Sequence, residues 1–245
     1  MNTTHAMALL VSLPIAAAAC GGASGSAVCG ANPAGYNPTL VAADFSSKID
    51  NKYLPFTPGT AYQHVDSDGN IVETTVLSDT KLIVGVTCVV VHDTNKTPAG
   101  HLNEDTFDYY AQDKEGNVWY FGEDTKAYVG NQVSTEGTWQ AGDHCALPGI
   151  VMKANPKVGD SYRQEYLPGH AEDQAEVVSI SETVTVPYGT FANCIETKEH
   201  TALAPGDVEN KYYCPGLGEV LAHDIGTIDS GKKEQLVSIN GKTSP

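Results

Sequence analysis

Carboxylates and aromatic rings are concentrated between residues 104 and 124, and this makes the segment the first candidate for chemistry. It holds six of the nineteen aromatic residues and seven of the thirty acidic ones. Aromatic residues favour strands, and the Asp-Lys-Glu-Gly-Asn sequence at residues 113–117 favours a turn. We therefore predict a β-hairpin that holds a cation or a polar ligand. The alternative is an ordinary strand pair with a solvated acidic face.

The first strand of this hairpin has one face that is more polar than the other. Because successive side chains point to opposite faces, Glu104, Asp108, Tyr110 and Gln112 share the polar one. Two carboxylates on one face could bridge a hard cation such as Ca²⁺ if further oxygen atoms join them. We predict that Glu104 and Asp108 ligate such a cation together with Glu172, which lies on a later strand.

A second candidate site surrounds Arg163, the only arginine of the chain. A guanidinium group can bind a carboxylate or a phosphate through two parallel hydrogen bonds. Arg163 shares a strand face with Glu165, and a Leu-Pro-Gly-His turn separates this strand from Glu172. We predict that Arg163 anchors an anionic group in a ligand cavity lined also by Glu165 and Glu172. The alternative is a structural ion pair between the two strands.

Several other chemistries find little support in the sequence. It contains no Gly-x-Ser-x-Gly elbow, no His-Glu-x-x-His helix motif and no Cys-x-x-Cys pair. The net charge of −16, with only fourteen basic residues, argues against nucleic acid and against docking on anionic lipid. Hydrolysis or elimination on a saccharide by two carboxylates stays open, because that chemistry demands little more than a suitable carboxyl separation.

The first forty residues differ in composition from the rest. Residues 6–19 form an apolar run that ends in Ala-Ala-Ala-Cys20, which resembles a bacterial lipoprotein signal with Cys20 as the lipidated residue. Secretion after an Ala-x-Ala cleavage is the alternative. We predict a signal peptide at residues 1–19 and a flexible tether at residues 20–40. The protein would then be exported to the cell surface or periplasm and would touch the membrane only through its lipid anchor.

Export makes disulfides plausible, since the extracytoplasmic compartments are oxidising. Cys194 and Cys214 lie on consecutive predicted strands, so we predict that they pair. Cys29 lies in the tether and is expected to be unpaired, and the pairing of Cys88 with Cys145 then follows by elimination.

The fold class follows from a hydrophobic period of two beyond the first forty-odd residues. About a dozen strand candidates with turn signals between them predict an all-β protein. We expect residues 41–245 to form one domain, a curved antiparallel sheet that makes an open barrel or a sandwich. A short helix is predicted from Asn37 to about Phe45, and residues 126–158 are predicted to be loop-like.

Two segments of the second half carry a resemblance to known proteins. They are Val-Pro-Tyr-Gly-Thr-Phe at residues 186–191 and Lys-Tyr-Tyr-Cys-Pro-Gly-Leu-Gly at residues 211–218. They resemble a pattern found in exported bacterial proteins of unknown function, some of which are similar to the open antiparallel sheets of lipoprotein carriers. Residues 49–60 are similar to a group of secreted proteins. The resemblance implies a fold and export, and it carries no catalytic residue.

The sequence thus predicts an exported binding protein that holds a cation or a small polar ligand on a concave β-sheet. Two alternatives remain. The protein could be an extracellular hydrolase or lyase that acts on a saccharide through its carboxylates. It could also be a structural protein of the cell envelope without a small ligand.

Overall fold

The computed structural model describes residues 35–245, which form one antiparallel sheet of sixteen strands. In chain order the strands are β1 (Phe45–Ser46), β2 (Ala61–Asp66), β3 (Ile71–Ile83), β4 (Val86–Lys96), β5 (Leu102–Asp113), β6 (Val118–Val129), β7 (Gln132–Ser134), β8 (Trp139–Gln140), β9 (Leu147–Met152), β10 (Ser161–Arg163), β11 (Glu165–Tyr166), β12 (Asp173–Val186), β13 (Gly189–Thr201), β14 (Val208–Cys214), β15 (Gly218–Asp224) and β16 (Lys233–Ile239). Among these residues, no helix has the length and apolar character needed to cross a membrane.

The strands follow one another as hairpins across most of the sheet. The hydrogen-bonded path runs β10-β12-β13-β14-β15-β16-β2-β3-β4-β5-β6-β9-β11, with β1 against β5 and with β7 and β8 against β6. The turns from β2 to β3 and from β5 to β6 are built alike. In each, the first aspartate accepts hydrogen bonds from the backbone and the side-chain amide of an asparagine four residues later, at Asn70 and at Asn117. These Asx turns fix the register of the long strands.

The hydrogen-bonded path of the sheet does not close on itself. The strands at its two ends, β10 and β11, are nevertheless consecutive in the sequence. Strand β10 pairs with β12, and β11, which begins two residues after β10 ends, pairs with β9. The segment at residues 161–166 therefore bonds to both ends of the curled sheet. Gly149 of β9 makes this approach possible, because a Cβ atom there would lie 2.4 Å from the carbonyl carbon of Gln164.

The inner side of the curled sheet has an apolar part and a polar part. Val76, Val89, Tyr110 and Tyr120 belong to the apolar part and are almost completely buried. Burial of such side chains supplies most of the driving force for folding. The polar part consists of carboxyl, hydroxyl and amide side chains on the same inward faces, and it forms the candidate site described below.

Two predictions about local structure are not confirmed. The helix predicted from Asn37 is not confirmed, because only Ala42–Asp44 form a 3₁₀-helix and Val41 makes no side-chain cap. Phe45 instead extends into β1 and packs edge-on against Trp119 and Phe121. Residues 126–158 are not one loop either, since β6 continues to Val129 and β7, β8 and β9 all lie within them.

The disulfide prediction is half right. Cys194 and Cys214 are bonded, as expected from their adjacent strands. The pairing of Cys88 with Cys145 is wrong, because Cys88 is a free thiol buried in the core from β4 while Cys145 is disulfide-bonded. Cys20, Cys29, the predicted signal peptide and most of the predicted tether lie outside the described residues, so those expectations stay predictions.

Candidate functional site

Ten acidic side chains are buried in the part of the chain that the structure describes. They are Asp93, Glu104, Asp108, Glu123, Glu165, Asp173, Glu199, Glu219, Asp224 and Glu234. Within the same residues, Lys211 is the only buried lysine. Burying an ionised carboxylate is costly unless a counter-charge compensates it. The interior of the sheet is therefore strongly acidic and cannot hold all of these groups in their ionised form.

Asp108 lies at the border between the acidic and the apolar parts. Its Oδ1 accepts a 2.6 Å hydrogen bond from the hydroxyl of Tyr120, whose ring stacks on that of Tyr110 at 4.9 Å between centroids. Burial, followed by the neighbouring carboxyl of Asp93, raises the pKa of Asp108 well above its usual value. This environment favours the neutral carboxylic acid form of Asp108.

Glu123, Glu165 and Asp173 continue the acidic cluster toward the junction of the sheet ends. Burial raises the pKa of Glu123 well above its usual value, and the carboxyls of Asp108 and Glu165 add to this effect. Burial and Asp173 act in the same way on the pKa of Glu165. Burial raises the pKa of Asp173 to about 7, against the opposing effect of a hydrogen bond from Thr201. Protons are shared within this group, because neighbouring carboxylates cannot all ionise.

Lys211 provides the positive charge of the interior. Its Nζ lies 3.1 Å from Oε1 of Glu209 and 3.4 Å from Oε2 of Glu199. Burial alone would lower the pKa of Lys211, but Glu209, Glu199 and Glu219 together raise it well above the usual value. The carboxylate of Glu199 is also stabilised by hydrogen bonds, which it accepts from Thr197, Gln164 and Tyr213.

Other carboxyls of the cluster lack this support. One oxygen atom in each of Glu123, Glu165, Glu219 and Glu234 has no hydrogen-bond partner among residues 35–245. A buried polar atom without a partner costs about 1–3 kcal/mol. Hydrogen bonds or a positive charge that would compensate these oxygen atoms are not supplied by residues 35–245.

A cleft leads from the surface to the edge of this cluster. Its walls are residues 54–56 and 217–219, and its floor is formed by Tyr62, His64 and Thr74. The enclosed space is about 10 Å³, which is room for about one water molecule. Thr74 lies directly opposite Asp93 in the register of β3 and β4, so the floor of the cleft adjoins the acidic interior.

His64 and Glu219 form the polar end of this cleft. Nε2 of His64 lies 3.2 Å from the backbone carbonyl oxygen of Glu219 and donates a hydrogen bond to it. Burial lowers the pKa of His64 to about 4, so the ring is neutral and its Nδ1 is an acceptor. Burial raises the pKa of Glu219 to about 7, although Lys211 opposes this change.

Three of the residues predicted from the sequence lie in this interior. Glu104, Asp108 and Glu165 are buried there, and the charges of Glu104 and Glu165 both act on Glu123 beside Asp108. Tyr110 stacks on Tyr120 and packs against Phe56. The face predicted to be polar and accessible on β5 is thus turned into the interior of the sheet.

The other predicted residues lie elsewhere. Gln112 exchanges hydrogen bonds with Asp50 at the exposed end of the hairpin. Arg163 lies opposite Gln174, and its guanidinium covers the ring of Tyr166 at 4.6 Å. Glu172 accepts a hydrogen bond from the backbone of Gly169 within a turn, and the adjacent Asp173 is the residue that enters the cluster.

The predicted Ca²⁺ site finds no support in this geometry. Within residues 35–245, no group of three or more His, Cys, Asp or Glu side chains is arranged to hold a metal ion. Glu172 does not join Glu104 and Asp108, because it belongs to the turn before β12. Metal ligation by these three residues stays an untested prediction.

Sequence reasoning missed Glu123, Asp173, Glu199, Lys211 and Glu219. A signal was available for two of them in the alternation of the strands. Lys211 shares a face with Tyr213, and Glu199 shares one with Thr197 and Ile195, and all of these are buried. A charged residue at an inward position of an otherwise apolar face is the pattern that marks a polar interior.

Comparison with known proteins assigns no family to the chain. No family model matches the chain, and no curated protein matches it. One similar solved structure is a protein of Bacteroides fragilis assigned as exported and as having a YMCC-like fold, at 17% identity and a TM-score of 0.45. Another, assigned as a lipoprotein, is from Parabacteroides distasonis, at 12% identity and a TM-score of 0.42. Each match covers 78% of this chain and 99% of the other chain.

Proposed function

We propose that this protein is an exported binding protein that takes up a small cationic ligand against the acidic interior of its sheet. The observation that carries the proposal is the imbalance, within residues 35–245, between ten buried acidic residues and one buried lysine. A ligand cation would supply the missing positive charge. It would also donate hydrogen bonds to carboxyl oxygens that have no partner among the described residues.

Binding of this kind is linked to protons. In the free protein, burial raises the pKa values of Asp108, Glu123 and Glu165, which favours their neutral acid forms. A cation next to one of these groups favours the carboxylate and lowers its pKa. Uptake of the cation therefore releases protons, and the affinity rises with pH over the range in which the carboxyls ionise.

Hydrolysis of a saccharide is the less well supported of the two functions. Asp108 has a raised pKa and lies beside the stacked rings of Tyr110 and Tyr120, which is the arrangement that such a site would need. Its exposed fraction is 0%, however, and that of Tyr120 is 1%. A saccharide substrate cannot contact a carboxyl in this position, whereas a small cation can replace a proton beside it.

The proposal is tested by calorimetric titration with putrescine dihydrochloride, CaCl₂ and ZnCl₂ at equal ionic strength. Titrations in two buffers of different ionisation heat give the number of protons released. We expect at least one of these cations to bind with proton release. Asp108→Asn and Glu123→Gln should weaken that binding by at least about tenfold, since each removes a carboxylate that the cation would neutralise.

Asp124→Asn is the matched control, because Asp124 is the exposed neighbour of Glu123 on the same strand. The affinity of the Asp124→Asn variant for the cation should stay within about twofold of that of the unmutated protein, since an exposed charge is screened by solvent. Absence of heat with all three cations would overturn the proposal. Equal affinities for the Asp108, Glu123 and Asp124 variants would do the same, and both results favour the structural envelope protein.

A further inference from the structure

Cys145 is disulfide-bonded, and its partner lies outside the part of the chain that the structure describes. The chain has six cysteines. The other cysteines of the β domain are one bonded pair and one free thiol, namely Cys194–Cys214 and Cys88. Cys20 and Cys29 are then the two remaining partners for Cys145, so its disulfide joins the N-terminal segment to the β domain.

The loop at residues 141–146 presents Cys145 at the surface of the domain. Ala141 and Ala146 are buried at the two ends of the loop, and the backbone N–H of Gly142 donates a 2.9 Å hydrogen bond to the carbonyl of Ala146. Cys145 has a φ of +71°, a left-handed conformation that is costly for a residue other than glycine. Cys145 is half-buried, so a chain segment from outside the domain can reach its sulfur atom.

The first residues that the structure describes lie beside this loop. The hydroxyl of Tyr36 donates a 2.8 Å hydrogen bond to the backbone carbonyl of Pro148, which is three residues after Cys145. The ring of Tyr36 also packs edge-on against that of Tyr166, with 6.1 Å between the centroids. The N-terminal segment therefore joins the domain close to Cys145.

Chain length places Cys29 within reach of Cys145. Cys29 precedes Tyr36 by seven residues, which span at most about 25 Å when extended. The three residues from Cys145 to Pro148 span at most about 10 Å, so the two sulfur atoms can meet without any rearrangement of the domain. Cys20 lies nine residues farther back, and its pairing would close a longer loop at a greater cost in entropy.

The chemistry expected of Cys20 separates the two candidates further. The sequence that ends at Cys20 resembles a lipoprotein signal, in which the cysteine sulfur carries a lipid as a thioether. A disulfide forms through a thiolate, and a thioether sulfur cannot become one. No such competing modification is predicted for Cys29.

We propose that Cys29 is the partner of Cys145 and that their disulfide fastens the predicted tether to the β domain. The two thiols lose two protons and two electrons as the S–S bond forms. A protein disulfide of the oxidising exported compartment accepts them by thiol–disulfide exchange and becomes a dithiol. The expectation that Cys29 is unpaired is then wrong. This inference is independent of the proposed function.

The disulfide shortens the connection between a lipid on Cys20 and the domain. The sixteen residues from Cys20 to Tyr36 can span about 56 Å, whereas the nine from Cys20 to Cys29 span at most about 32 Å. The loop that carries Cys145 also touches the tip of the β3–β4 hairpin, because a Cβ atom added at Gly142 would lie 2.5 Å from Cγ1 of Val84. This end of the sheet is then the one held nearest to the membrane.

The test is a tryptic peptide map of the full-length chain, exported by a bacterial host and digested without reductant after its free thiols are blocked with N-ethylmaleimide. The sequence has no lysine or arginine before Lys48, so one peptide carries both Cys20 and Cys29, and residues 127–153 form the peptide with Cys145. We expect these two peptides to be linked until reductant is added. Fragmentation between residues 20 and 29 in the mass spectrometer should assign the bond to Cys29.

Cys29→Ser gives a second measurement, in which thiols are counted with a maleimide label in denaturant. The variant should show one more free thiol than the unmutated protein, and mapping should locate it on Cys145. Ala27→Ser is the matched control, because it places a serine in the same segment and keeps all six cysteines. The thiol count of the Ala27→Ser variant should equal that of the unmutated protein.

The map of the unmutated protein decides the proposal even if the variant rearranges its disulfides. A bond from Cys145 to Cys20 would overturn the proposal and would also exclude a lipid on the Cys20 sulfur. A Cys145 peptide that carries N-ethylmaleimide would overturn it as well. None of these results concerns cation binding, so the proposed function is decided separately by its own titrations.

Discussion

Tyr120 and Asp108 face each other across the β5–β6 hairpin, and the tyrosine hydroxyl donates a 2.6 Å hydrogen bond to the aspartate Oδ1. Tyr120 is paired with Tyr110 in the register of these strands, so the bond runs diagonally to the residue two positions before Tyr110. It lowers the pKa of Asp108 in opposition to burial and to Asp93. The hydrogen bond therefore links the apolar part of the interior to its acidic part.

Tyr120→Phe should destabilise the protein by about 1–3 kcal/mol, because it leaves a buried carboxyl oxygen without its donor. The measurement is the free energy of unfolding from denaturant titration at neutral pH. Tyr128→Phe, at a half-buried position of the same strand, serves as the control and should cost less than about 0.5 kcal/mol. Equal losses in the two variants would contradict the role given to the hydrogen bond.

The stability of the protein should fall as the pH rises from about 6.5 to 8.5. Burial raises the pKa values of Asp173 and Glu219 to about 7, so the folded state holds protons that the unfolded state has already released. The stabilisation from these two carboxyls is therefore fully present below their unfolded pKa values. It is lost as the pH rises through their folded pKa values. His64 has a folded pKa of about 4 and destabilises the fold only on acidification below its unfolded pKa of 6.5.

This pH dependence is measured by thermal or denaturant unfolding at about pH 6.5 and 8.5. We expect a decrease on the order of 1–3 kcal/mol, because each pKa unit corresponds to about 1.4 kcal/mol and the carboxyls share protons. Asp173→Asn should reduce the decrease, while Asp124→Asn should leave it unchanged. Constant or rising stability over this range would show that the buried carboxyls are ionised.

Gly149→Ala should open the junction between β9 and the segment at residues 161–166. A Cβ atom would lie 2.4 Å and 2.5 Å from backbone atoms of Gln164 and Arg163, neither of which can move like a side chain. We expect a loss of at least about 2 kcal/mol and faster proteolysis at residues 161–166. Gly159→Ala is the control, since it has a positive φ but nothing within 4 Å of the added Cβ. A larger loss for Gly159→Ala would refute the close approach.

Cys88 should react with iodoacetamide only after the protein unfolds. It is completely buried, and burial raises the pKa of its thiol to about 12, so the reactive thiolate is rare. Peptide mapping without reductant should give a free Cys88 peptide and a linked Cys194–Cys214 pair. A peptide in which Cys88 is joined to Cys145 would restore the pairing expected by elimination.

Local patterns predicted the elements of the hairpin at residues 104–124 well, but they did not predict which of its faces is enclosed. The alternation around Asp108 correctly grouped it with Glu104 and Tyr110. The polar face was expected to be open to ligand or solvent, whereas Glu104 and Asp108 are buried. Alternation shows which residues share a face, and it cannot show which face is enclosed when both carry polar groups.

Contacts between residues that are distant in the sequence were harder still to predict. Glu172 was predicted and its neighbour Asp173 was found in the cluster, because a shift of one residue moves a strand's side chains to the opposite face. Glu219 and His64 are 155 residues apart, and nothing near either one in the sequence signals that they meet.

The sequence by itself determined the strand content, the Asx turns and the Cys194–Cys214 disulfide, since these depend on neighbours along the chain or on adjacent strands. The tertiary structure decided that the acidic residues lie inside and that one cleft reaches them. Curling of the sheet brings strands from the whole chain together, and the cost of burying their carboxyls depends on the partners that each one meets there.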